Sequence, residues 1–100
     1  MSDKRTLIAL IQLGESVFVY LKDDPTGEAF LREAEAEGFV FGDGVKPTAR
    51  HYATVMAIHP EGFIHYVGAV GMAAFQAKAE NIVMVDYAAY RDGSKAFIFA

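Results

Sequence analysis

The chain contains no cysteine. That absence excludes a disulfide framework, a thiolate metal site and a cysteine nucleophile, and it fits a reducing cytoplasm. A basic excess is lacking too: nine Lys and Arg stand against thirteen Asp and Glu, a net charge of −4. This argues against direct binding to nucleic acid, because gripping a phosphate backbone needs a basic face. No apolar run approaches the ~20 residues of a membrane span. Residues 7–11 are apolar and follow Lys4-Arg5 in the manner of a signal peptide, but the run is short, Gln12 interrupts it, and Glu15 stands where a small-residue cleavage site belongs. A soluble, cytoplasmic protein without membrane contact is expected. Repeats, linkers and low-complexity stretches are also missing, so residues 1–100 read as one domain.

What is present is apolar and aromatic: 53% of the residues are hydrophobic, with eight Phe and five Tyr, enough to build a core without a staple. The chain is organised around residues 16–44. Ser16-Val17-Phe18-Val19-Tyr20-Leu21 is β-branched and aromatic and too short for a helix, so it predicts a buried strand. Asp24-Pro25 opens a helix to about Glu37, with Asp24 as its cap and Phe30, Leu31 and Ala34 as its apolar stripe. Gly38 ends that helix, and Phe39-Val40-Phe41 returns as a strand, closing a β-α-β unit.

Before this unit, residues 2–13 predict a helix capped by Ser2 or Asp3 and terminated by Gly14. A strand is the rival reading, because Thr6, Ile8 and Ile11 are β-branched. After it, residues 53–58 and 63–68 predict a hairpin around His59-Pro60-Glu61-Gly62. Residues 70–78 predict an alanine-rich helix, and residues 82–87 a last core strand. Asp92-Gly93 signals a further hairpin, with residues 95–99 as a short edge strand that either folds back or supports self-association into a homodimer. The order α-β-α-β-β-β-α-β indicates an α+β fold: a single two-layer domain with helices packed on a mixed, largely antiparallel sheet.

Charge is unevenly spread. Between Asp23 and Asp43 there are seven acids (Asp23, Asp24, Glu28, Glu33, Glu35, Glu37, Asp43) and one base, Arg32. That is six net negative charges in 21 residues, which leaves about +2 on the remainder. Glu28, Arg32 and Glu35 fall on one exposed helix face, and Glu33 and Glu37 on the opposite flank of the apolar stripe. This stretch, with Lys46 in the following loop, reads as a partner-binding surface that imitates nucleic-acid phosphate; the commoner meaning of such a stretch is a solvated helix face that keeps a hydrophobic chain in solution. His59 and His65 share a hairpin face, but two imidazoles without a third ligand do not make a metal site. Lys46, Arg50 and His51 form a basic cluster, a candidate anion-binding loop together with the Gly42 and Gly44 amides, but one without the glycine spacing of a phosphate loop. Ser16 and Ser94 have no nucleophile motif, and Asp86 ends a strand where a cap or a site residue can stand. No cofactor and no catalytic set is predicted.

The stretches Phe18-Val19-Tyr20-Leu21, Ala34-Glu35-Ala36-Glu37-Gly38-Phe39, Phe41-Gly42-Asp43-Gly44-Val45-Lys46-Pro47-Thr48, Val67-Gly68, Met72-Ala73-Ala74-Phe75-Gln76 and Val85-Asp86-Tyr87 carry a resemblance. Together they resemble small uncharacterised α+β proteins encoded on phages and conjugative elements of Firmicutes. The resemblance implies an accessory or counter-defence role of the anti-CRISPR type and carries no site residues. The expectation is therefore a non-enzymatic interaction protein of a mobile element, in its most concrete form an inhibitor of a host CRISPR-type nuclease that meets the acidic helix with its basic groove. The alternatives are a ligand-binding or enzymatic domain built on His51, His59, His65 and Asp86, and a structural self-associating module.

Overall fold

The computed structural model describes residues 6–14, 16–68, 72–73, 76–77 and 82–98. In chain order its elements are α1 (Leu7–Leu10, drawn out as a 3-10 turn over Ile11–Leu13), β1 (Ser16–Tyr20), α2 (Asp24–Ala36), β2 (Val40–Phe41), a 3-10 turn (Pro47–Ala49), β3 (Val55–His59), β4 (Phe63–Tyr66), β5 (Ile82–Asp86) and α3 (Tyr87–Arg91). Among the described residues no helix is long and apolar enough to cross a membrane.

The fold is α+β, with a five-stranded mixed sheet in the order β2-β4-β3-β1-β5. β1 pairs in parallel with β5 (Val17↔Val83, Val19↔Val85), and β2 in parallel with β4; β3 is antiparallel to both β1 and β4. The sheet is therefore not largely antiparallel, since β3 alone runs against the other four strands. The cause is topological. A helical crossover brings the chain back to the end of the sheet it left, so the strand that follows runs parallel to the one before. β1-α2-β2 is such a crossover, but β3 and β4 stand between its two strands, so β2 lies at the far edge.

Local chemistry fixes the element ends. Asp23, one residue before the expected cap, accepts a hydrogen bond from the Thr26 N–H at 3.1 Å, which leaves Asp24 inside the helix. At the other end Gly38 takes φ +88°, and the Gly38 and Phe39 N–H groups bond back to Glu35 and Ala34, closing the last turn. α1 begins later than expected: Thr6 Oγ1 caps it by accepting from Ala9 at 3.1 Å, while Ser2 and Asp3 lie outside the described residues. Gly14 is fully extended rather than left-handed. The hairpin forms as expected, with Gly62 at φ +99° and its N–H on the His59 carbonyl.

Asp92-Gly93 does not make a hairpin. β5 stops at Asp86, whose carboxylate caps α3 through the Ala89 N–H, and Gly93 (φ +87°) ends that helix. The expected edge strand shrinks to one bridge, Val85↔Ile98, with the Asp86 N–H on the Phe97 carbonyl at 2.7 Å. The helix expected over residues 70–78 lies mostly outside the described residues, though Met72, Ala73 and Gln76 are helical.

All three named helices pack on one sheet face. Leu7, Leu10, Phe30, Leu31, Ala34, Tyr87 and Tyr90 meet Val17, Val19, Met56, Ile58, Ile64 and Val85 in the main core. Phe30 and Tyr87 touch edge to face, with ring centroids 5.4 Å apart. The opposite face carries a smaller cluster of Phe18, Ala57 and Met84.

Candidate functional site

With Phe30, Leu31 and Ala34 turned to the sheet, the outer side of α2 faces the segment 46–52, which crosses it as a strap. Pro47 is buried and anchors the strap. Thr48 bonds Glu35 twice, with its hydroxyl at 2.6 Å and its N–H at 3.3 Å. The Arg50 guanidinium forks onto Asp43 at 2.6 and 3.2 Å and lies over the Phe41 ring at 4.8 Å. Tyr52 completes the fastening. Its ring lies so close to Gly27 that a Cβ there would overlap it, and its hydroxyl donates to the Asp24 carboxylate.

Between strap and helix runs a cleft of about 530 Å³. Asp24, Glu28 and Arg32 line it from α2; Thr48, His51 and Tyr52 line it from the strap. The electrostatics of the strap and its fastenings follow from these contacts. The Thr48 hydroxyl, helped by the Thr48 N–H, holds the Glu35 carboxyl below the usual range. The Arg50 hydrogen bond does the same for Asp43. Tyr52 moves the other way: the bond to Asp24, then burial, then the negative field of Asp24, Asp23 and Glu28 push its phenol up to about 12.

The seven acids of residues 23–43 do not form one continuous face. Asp23 is spent on the Thr26 N–H, Asp24 on Tyr52, Glu35 on Thr48 and Asp43 on Arg50. Glu33 accepts from the Tyr87 hydroxyl at 2.9 Å and from Arg91 at 2.8 Å. Glu37 receives the Leu7 and Ile8 N–H groups at 2.9 and 3.0 Å and so caps α1 from a distance. Glu28 alone of the seven has no partner among the described residues. Lys46 is exposed at the start of the strap, where its charge favours the ionised form of Glu35.

The histidine set does not assemble. His51 lines the cleft. His59 and His65 are exposed on the sheet face opposite α2, in register with Phe63 and Ala57, and Asp86 serves as the α3 cap. Among the described residues no group of three His, Asp or Glu can hold a metal ion. Nor does the anion-binding loop form, because Arg50 turns to Asp43 and the Gly44 N–H is used by the Phe41 carbonyl at 2.7 Å. Sequence reasoning missed Gly27 and Tyr52, and it placed Thr48 in a partner-facing loop without its bond to Glu35. A glycine in the first turn of an otherwise good helix is the one signal that pointed there, since it costs helix stability unless something approaches closely. No protein-family model, curated protein or solved structure matches the chain.

Proposed function

We propose that the chain is a non-enzymatic binding protein acting in the cytoplasm, and that it docks a protein partner in the cleft between α2 and the strap. The observation that supports this is the state of the polar groups in and beside the cleft. A catalytic site tunes pKa values toward the working pH. Here the shifts run the other way: Glu35, which touches the Thr48 hydroxyl, is made a weaker base, and the Tyr52 phenol is held protonated. Neither hydroxyl is activated, whereas Glu28 and Arg32, without partners among the described residues, can meet a partner's charges.

In its most specific form the partner is a CRISPR-type nuclease of the host, met through Glu28, the one of the seven carboxylates left without a partner among the described residues. Support for that form comes from the resemblance to mobile-element proteins and from the acidity of residues 23–43. Glu35 is a strap fastener, so a charge-reversal test belongs at Glu28, which is exposed and carries no fold contact among the described residues. In biolayer interferometry against a purified CRISPR effector nuclease, Glu28→Lys is expected to weaken binding about tenfold and flatten its salt dependence. Equal binding by wild type and Glu28→Lys removes the cleft as the docking site; no binding by the wild-type chain removes the nuclease as partner.

A further inference from the structure

The cleft holds two charges that a helix normally pairs with each other. Glu28 and Arg32 are four residues apart on α2 with the acid on the N-terminal side, the order in which such side chains usually close an ion pair. They do not do so: the ion pairs among the described residues are Arg50–Asp43 and Arg91–Glu33. Neither Glu28 nor Arg32 has a hydrogen-bond partner among those residues. The other charged groups of the cleft wall are occupied, Asp24 by Tyr52 and Arg50 by Asp43. One carboxylate and one guanidinium therefore face the same 530 Å³ space one helical turn apart, about 6 Å between their Cβ atoms.

We propose that this pair reads a zwitterionic segment of the partner: an extended stretch carrying a basic residue and, two positions on, an acidic one. Side chains at i and i+2 of an extended chain emerge on the same side about 6.6 Å apart, which matches the spacing on α2. The ammonium or guanidinium of the segment meets Glu28, and its carboxylate takes the planar fork of Arg32. A ligand of one sign satisfies only one of the two groups and brings a like charge to the other, so the pair selects for mixed charge. This inference rests on the reading of the cleft as a docking site and adds the chemistry that the partner must present.

The test is a titration of the isotopically labelled full chain, followed by amide chemical shifts, with N-acetylated and C-amidated Gly-Lys-Gly-Glu-Gly, Gly-Lys-Gly-Lys-Gly and Gly-Glu-Gly-Glu-Gly. The mixed peptide is expected to shift the amides of Glu28, Arg32 and residues 48–52, and to bind at least about tenfold more tightly than either single-sign peptide. Glu28→Gln and Arg32→Gln should each abolish that preference with the spectrum otherwise unchanged. The swapped pair, Glu28→Arg with Arg32→Glu, should restore binding to Gly-Glu-Gly-Lys-Gly. Equal binding of a single-sign peptide overturns the inference, as does silence towards all three. If silence coincides with nuclease binding that still depends on Glu28, only the two-charge inference fails and the docking reading stands.

Discussion

At the scale of the residue, Gly27 and Tyr52 decide whether the strap can sit on α2. Alanine at position 27 gains helix propensity, about 1 kcal/mol, but its Cβ overlaps the Tyr52 ring. The ring must leave, at a cost of about 1–3 kcal/mol for overpacking. Gly27→Ala is therefore expected to destabilise the wild-type chain and to stabilise the Tyr52→Ala background, a sign change read by denaturant unfolding of the four proteins in the cycle. Tyr52 also reports on itself. Its phenol titrates at about 12 rather than the ordinary 10.0, so the folded state holds this proton when the unfolded state has released it. The stabilisation is complete below pH 10 and is lost as pH rises towards 12. Tyr87 is also pushed up, by burial and by Glu33, so ultraviolet titration of the tyrosinates should resolve two late phenols. Asp24→Asn should bring down the Tyr52 one and leave the other in place.

At the scale of the element, α2 acts as a hub whose carboxylates hold its neighbours: Glu33 the α3 residues Tyr87 and Arg91, Glu35 the strap, Glu37 the start of α1. The last contact matters most for order, since α1 is a four-residue helix and a helix that short has no stability of its own. Glu37→Ala removes the acceptor from two N–H groups. The expected local cost is about 1–3 kcal/mol, a roughly ten- to hundredfold rise in amide exchange at Leu7 and Ile8, with β1 amides unchanged. Equal acceleration in β1 would show instead that α1 and the sheet open as one unit. The helix itself was legible in the sequence because its signals are local: the 30, 31, 34 stripe, the acid-proline start, the glycine stop. The destinations of its acids were not, because Glu37 and Leu7 lie 30 residues apart and Glu33 and Arg91 lie 58 apart. A run of carboxylates looks the same in sequence whether it faces water or distant N–H groups.

At the scale of the whole molecule, the strand alphabet could be read but not the strand order. Hydrophobic patterning shows which residues are buried, and it is silent on which buried strands are neighbours; the parallel β1–β5 pairing joins residues more than 60 positions apart and leaves no local signal. The same pairing makes β5 an edge of the sheet, and this gives the C-terminal segment its role. Ile98 bridges Val85, Phe97 accepts from the Asp86 N–H, and the Phe97 ring packs on Tyr90 at 4.9 Å. The aromatic end thus covers part of an edge that would otherwise offer backbone groups to another chain. Removing residues 95–100 should uncover that edge and the Tyr90 ring. Light scattering after size exclusion is then expected to show mass rising with concentration for the shortened chain and a constant mass for the full one. Were the full chain to associate and the shortened one to stay monomeric, the segment would be a joining strand rather than a cover, and the edge contact with Val85 would yield to a partner copy.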